Sequence, residues 1–297
     1  MFSKKKLFIG LILSVFMVGL DASHSDLRAN RSFDTMLDRA KQGSAEAQFN
    51  VAYAYDNGEG VALDDKKAIY WYTKSAEQGY VIAQYNLALM YDNGEGMPED
   101  NKMAVYWYTK AAKQGDPDAQ YNLAVSYDNG EGVAENDRNA VYWYTQAAEQ
   151  GYLKAQYNLA LMYANGEGVA ENGKTAIYWY TQAAEQGDAE AQFNLAISYD
   201  NGAGVPEDDR QAVYWYTKAA GQNYGDAQYN LGIMFANGEG VVEDDRRAHM
   251  WFNIAASNGV DGASENKDIL GNRMSRSEIA QAQEMASNCE ANNYKGC

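Results

Sequence analysis

Residues 44–79 read SAEAQFNVAYAYDNGEGVALDDKKAIYWYTKSAEQG, and this stretch decides the fold. Ala47, Val51 and Tyr55 lie four apart, with Gln48 and Ala52 beside them. That is the one-sided stripe of a helix, expected from about Ala45 to Asp56. Asn57-Gly58 then supplies a stop, because both residues tolerate left-handed backbone. Gly60 permits a sharp turn, and Asp64 suits the N-cap of a second helix, expected from about Asp65 to Gln78. Ala68, Trp71, Tyr72, Ser75 and Ala76 share one face of that helix, and Gly79 closes it.

The pattern recurs. Trp71, Trp107, Trp143, Trp179, Trp215 and Trp251 are each 36 residues apart, as are the Ala47-Gln48 and Asn57-Gly58 pairs and their counterparts. Six units follow without insertion: 44–79, 80–115, 116–151, 152–187, 188–223 and 224–259. Ala stands at the positions of Ala68 and Ala76 in every copy, allowing close helix approach, while Trp and Tyr fill the space between. On this spacing Trp143, flanked by neighbours on both sides, is expected in the buried stack, and Trp251 at the end is expected to be less critical. A single helix pair leaves its apolar face uncovered, so the units must stack into an all-α solenoid; strand patterns are absent.

The ends differ from the middle. Ala40-Lys41-Gln42-Gly43 repeats the close of a unit, so residues 23–43 are expected to form an N-terminal capping helix. Residues 260–297 are expected to hold a degenerate repeat (Ala263 to Leu270) and a final helix, opened by the capping box Ser275-x-x-Glu278 and running to about Ser287. Residues 1–22 read as a signal peptide: Lys4, Lys5 and Lys6 precede an apolar run from Leu7 to Leu20, and Ala22 is a plausible cleavage position. The run is shorter than the roughly 20 residues a membrane span needs. The expected mature chain is periplasmic or secreted, with no membrane insertion after cleavage. With 41 acidic side chains against 24 basic and a net charge of −17, a nucleic-acid partner is not expected.

The unit A-x-A-Q-[YF]-N-L-A-x-x-Y-x-N-G-E-G-V, followed by x-A-x-x-W-Y-x-x-A-A-x-Q-G, resembles the Sel-like repeat (SLR) family, a relative of the TPR α-solenoids, over residues 33–287. The resemblance implies a right-handed superhelix of antiparallel helix pairs with a concave groove. It also implies an adaptor or scaffold with a protein or peptide partner. Some cysteine-rich relatives carry a disulfide in every repeat and have been linked to penicillin binding; no repeat here contains a Cys.

Catalysis needs a nucleophile, an acid–base pair or a metal cluster. His249 replaces the aliphatic residue seen at Ile69 and Val105 and has no visible partner. Ser264-Glu-Asn-Lys267 is a lone Ser-x-x-Lys without the companion motifs of β-lactam enzymes. Asp56-Asn57-Gly58-Glu59-Gly60 places glycines where a calcium loop needs side-chain ligands. No enzymatic activity, metal or cofactor is therefore expected, and a cell-wall or β-lactam hydrolase is the alternative. Glu59, Asp64, Asp65 and their counterparts are expected to stack the loops between the two helices of each unit into an acidic ridge, either a solvated edge or a steering surface for a basic partner.

One column stands out. Asn50, Asn86, Asn122, Asn158, Asn194 and Asn230 follow the aromatic residues Phe49, Tyr85, Tyr121, Tyr157, Phe193 and Tyr229. In the TPR relatives the first helix lines the concave face, where Asn can hold a ligand's peptide backbone. Candidate partner-binding residues are Asn86, Tyr121, Asn122, Tyr157, Asn158 and Asn194; the alternative is that each Asn bonds to the neighbouring repeat. Cys289 and Cys297, eight apart, are expected to form one disulfide in an oxidising compartment, with free thiols as the alternative.

Overall fold

A computed structural model describes the chain from residue 22, with side chains from residue 32. The expected signal peptide lies outside the described residues except for Ala22. Fifteen helices and no strand occur among the described residues. The chain opens with α1 (Ala22–Lys41). Six pairs follow: α2 (Ala45–Asn57) with α3 (Asp65–Glu77), α4 (Val81–Asn93) with α5 (Asn101–Ala112), α6 (Pro117–Asn129) with α7 (Asp137–Glu149), α8 (Leu153–Asn165) with α9 (Gly173–Glu185), α10 (Ala189–Asn201) with α11 (Asp209–Ala220), and α12 (Gly225–Asn237) with α13 (Asp245–Ser257). The chain ends with α14 (Ala263–Gly271) and α15 (Arg276–Ala291). The first helix of each pair is called A and the second B.

Local chemistry sets these bounds. Asp64, Asp100, Asn136, Asn172, Asp208 and Asp244 each cap a B helix by accepting backbone N–H bonds. Gly58, Gly130, Gly166, Gly202 and Gly238 end A helices at φ between 66° and 74°. The second glycine of three Gly-Glu-Gly turns has a further reason. A Cβ on Gly132, Gly168 or Gly240 would overlap the backbone of Asn101, Asp137 or Asp209, the first residue of the preceding B helix. These three turns therefore seat directly on the start of the helix B before them.

Two compact units can be distinguished, the described residues up to Ala83 and those from Gln84 to Cys297. In the first, α1 packs on α2 and α2 on α3; Phe33 meets the Tyr55 ring edge-on at 5.4 Å. In the second, every helix from α5 to α13 packs on the next, α7 on α8 and α8 on α9 alike, giving an all-α solenoid of successive pairs. Its interior repeats: Ala119, Leu123 and Ala124 of α6 are buried, as are Ala140, Tyr144, Ala147 and Ala148 of α7. Burying each larger apolar side chain contributes about 1.5–3 kcal/mol.

The tyrosine column is the more deeply buried of the two. Tyr72, Tyr108, Tyr144 and Tyr216 are 0–1% exposed, whereas Trp71, Trp143, Trp179 and Trp215 are half-buried and Trp107 is 6% exposed. One helical step separates the two residues, and it turns Tyr144 into the interface and Trp143 to its flank. Trp143 there packs edge-on against Tyr142 at 4.9 Å. Trp251 reverses the expectation at the other end: it is 2% exposed because α15 lies against α13. The capping box forms, Ser275 N–H donating to Glu278 Oε2 at 2.8 Å. α15 runs four residues beyond the expected end at Ser287, to Ala291, before Asn293 turns the backbone left-handed.

Candidate partner-binding face

Two polar ladders run through the repeats. In the first, Gln120, Gln156 and Gln192 are about 4% exposed in helices A. Gln156 Nε2 donates to the Ala148 carbonyl of the preceding helix B at 3.1 Å, and its Oε1 accepts from Gln186 Nε2 at 2.7 Å. Gln186 Nε2 also donates to the Gly151 carbonyl at 3.2 Å. One amide thus ties the end of one helix B, the next helix A and the end of the following helix B. Gln120 and Gln192 make the same set of bonds. Such a buried network fixes register because every unmet partner costs desolvation.

The second ladder contains the Asn column. Tyr144 Oη donates to Asp128 Oδ2 at 3.2 Å and accepts from Asn158 Nδ2 at 3.1 Å. Tyr216 stands likewise between Asp200 and Asn230. Tyr108 donates to Asp92, and the Asn122 amide lies beside the Tyr108 and Tyr85 hydroxyls, partly offsetting the rise that burial imposes on them. Asn158 stands likewise beside the Tyr121 hydroxyl. Asn194 Nδ2 donates to Tyr157 Oη at 3.3 Å. Burial, followed by the adjacent carboxylate, pushes the Tyr108, Tyr144 and Tyr216 hydroxyls well above the usual phenol range.

This arrangement orients the amides. Asn122, Asn158 and Asn194 are half-buried, and their donors point at tyrosine hydroxyls. Among the described residues nothing donates to their Oδ1 atoms, which remain acceptors. Tyr121 and Tyr157 are half-buried beside them, and Tyr152 stacks on Tyr121 at 5.1 Å. Asn86 occupies the same register on α4 and is half-buried. The bonds reach across to neighbouring helices, so the column contributes to packing as well as to the surface.

The fourth repeat interrupts the ladder. Ala164 stands where Asp92, Asp128 and Asp200 stand elsewhere, and Tyr180 is pushed up to about 12 by burial alone. In the sixth repeat both partners change, to Ala236 and Phe252.

Other candidates are placed as follows. Among the described residues no group of three His, Cys, Asp or Glu is set to hold a metal, and no helix is long and apolar enough to cross a membrane. Ser264 is exposed on α14, one turn from Lys267, with no hydrogen bond between them. His249 is 4% exposed with Nδ1 unpartnered, and burial, then Lys267, holds its pKa below the usual imidazole value. The turns retain an acidic character, Glu207, Asp208 and Asp209 facing an open cleft with Arg210 and Val241. Cys289 on α15 and Cys297 stand at disulfide distance, their Cα atoms 5.5 Å apart.

The buried Gln ladder and the Tyr–Asp bonds were not assigned from sequence, although the Ala-Gln pair in all six copies and the Tyr-Asp pair in four were visible there. Periodicity alone gives a polar residue no partner.

The Sel1 repeat family model matches residues 45–80, 81–116, 117–152, 153–188, 189–224 and 225–260, one residue later than the units counted above. A protective antigen of uropathogenic Escherichia coli strains, displaying an SLR fold, is 34% identical with a TM-score of 0.71 over 90% of this chain. The chain spans 58% of that protein's length. A Sel1 repeat protein from Oxalobacter formigenes is 34% identical with a TM-score of 0.65, over 82% of this chain and 73% of its own. No curated protein matches. Six consecutive matched units, filled by the same buried Ala, Leu and Tyr columns, place the chain in the Sel1 repeat family.

Proposed function

We propose that this chain is an exported interaction scaffold that holds a protein or peptide on the helix-A face of its central repeats. Sel1 repeat proteins are generally protein-interaction scaffolds, and the family is typically non-enzymatic. The observation that carries the reading is the set of outward acceptors, Oδ1 of Asn122, Asn158 and Asn194, held in line by tyrosine hydroxyls that take up the amide donors. Tyr121 and Tyr157 supply ring faces beside them. An extended segment crossing several repeats would place its backbone N–H groups on successive Oδ1 atoms.

The amino-terminal sequence supports export, and the Cys289–Cys297 pair is compatible with an oxidising compartment. The test is capture of partners from an exported-protein extract by the chain and by an Asn122→Ala, Asn158→Ala, Asn194→Ala variant, with circular dichroism as the folding control. Each neutral hydrogen bond is worth about 0.5–1.5 kcal/mol, so binding should weaken by about tenfold or more. A folded triple variant that captures the same partner equally well removes the face from consideration. Mass spectrometry of the exported protein should show a chain lacking about 22 residues.

A further inference from the structure

The chemistry of this face selects its partner. Several of its donors are engaged inside the molecule: the Asn158, Asn194 and Asn230 amides point to tyrosine hydroxyls, and Tyr144 and Tyr216 point to Asp128 and Asp200. What faces outward accepts: Asn Oδ1 atoms, carboxylates and the π faces of Tyr121 and Tyr157. Charge follows the same division. Helices α6, α8, α10 and α12 carry Asp118, Asp128, Glu190, Asp200 and Asp226 against the single basic residue Lys154. The B helices that alternate with them carry both signs, with Arg138, Lys174, Arg210, Lys218, Arg246 and Arg247 on the basic side. Among the described residues no ion pair neutralises Asp118, Asp128 or Glu190. Two of these carboxylates lie close to the aromatic rings: Asp118 raises the Tyr152 hydroxyl and Glu190 the Tyr157 hydroxyl, and Tyr152 in turn stacks on Tyr121.

We propose that the partner segment is cationic: an extended, Lys- or Arg-bearing peptide lying along α6, α8 and α10. Its ammonium or guanidinium groups sit over Tyr121 and Tyr157 beside Asp118, Asp128 and Glu190, and its main-chain N–H groups meet the Asn Oδ1 atoms. This rests on the helix-A reading above and adds the class of partner to it. Donor-poor surfaces bind anions weakly, so an acidic segment is disfavoured twice, by charge and by the lack of N–H groups.

The probes are three fluorescent peptides of about 12 residues, alternating Ser with Lys, Gln or Glu, titrated against the full chain at low and at physiological salt. The Lys peptide should bind, the Gln peptide about tenfold more weakly, and the Glu peptide not at all. Asp118→Asn, Asp128→Asn, Glu190→Gln together should weaken Lys-peptide binding about tenfold or more. Glu135→Gln, Glu171→Gln, Glu207→Gln in the turns should change it less than about threefold. If the first triple variant fails to fold, the Glu190→Gln change alone, at an exposed position, should still weaken it measurably. Equal losses from the two triple variants would reduce the effect to general attraction by an acidic protein and overturn the proposal. Equal binding of the Lys and Gln peptides, lost on Asn122→Ala, Asn158→Ala, Asn194→Ala, would overturn the cationic partner and leave the helix-A site standing. Binding insensitive to every one of these variants would remove both.

Discussion

Helix B of the third repeat and helix B of the sixth begin from related sequences and end in different environments. In α7, Tyr142 is 55% exposed and Trp143 half-buried, and only Tyr144 is enclosed. In α13, His249, Met250, Trp251 and Phe252 are all at most 4% exposed. The cause is the C-terminal pair: both α14 and α15 pack against α13. Neighbouring positions adapt: Gly232 replaces the usual Ala of helix A, and a Cβ there would stand 2.8 Å from the Phe252 ring. A middle repeat is covered by copies of itself, whereas the last repeat is covered by an element with no obligation to match. Burial at a given position is therefore a property of the neighbour as much as of the repeat.

The largest expected effect follows directly. Trp251→Ala should destabilise the C-terminal region by about 3–5 kcal/mol, whereas Trp143→Ala, at a half-exposed site, should cost well under that. Denaturant melts showing equal losses would dissolve the contrast between the two repeats. Next comes the buried amide. Gln156→Leu removes the bond to the Ala148 carbonyl and the bond from the Gln186 amide, and about 1–3 kcal/mol should be lost. The same change at Gln211, an exposed side chain on α11, removes no bond to a buried group, so it should cost less; a neutral Gln156→Leu would show that the ladder only decorates the stack.

His249 separates the last repeat from the others by pH. Its folded pKa lies below its ordinary value of 6.5, so the neutral form is the one the fold prefers. Its contribution is complete above pH 6.5 and is lost as pH falls from there through the folded pKa, at about 1.4 kcal/mol per unit of separation. Lys267 and Asp268 of α14 are the charged groups acting on it. His249→Val, the aliphatic type found at Val213, should flatten the C-terminal stability profile between pH 7 and 5 in thermal melts; an unchanged slope would assign the pH dependence elsewhere. The smallest effect compares two middle repeats. Tyr144→Phe removes a bond to Asp128 and should cost about 1 kcal/mol, whereas Tyr180→Phe, opposite Ala164, should be nearly neutral. Matching losses would mean that the Tyr–Asp bond adds nothing.

The fold was legible because its determinants are local and repeated. Asp64 and Gly58 announce a cap and a stop from their own chemistry, and six copies fix the architecture. What escaped has non-local causes. Trp143 and Tyr144 are adjacent, and helical period alone leaves open which of them faces inward. Gln156 reads as a solvent-facing amide until its partners, 8 residues before and 30 after, are brought beside it. The seat of α15 on α13 has no periodic signal at all. At the candidate face the Asn column was visible, but the direction of its amides was not, since that depends on tyrosine hydroxyls contributed by other helices.

The most direct test of the helix-A account is side-chain amide NMR of the folded chain with its captured partner. Outward Oδ1 atoms that accept from the partner predict shifted Nδ2 signals for Asn122, Asn158 and Asn194, while the environment of exposed Tyr142 and Tyr178 on the B helices stays unchanged. Shifts confined to Tyr142, Tyr178 and their surroundings, with the three Asn amides silent, would place the partner on the opposite side of the helix pairs and contradict the account.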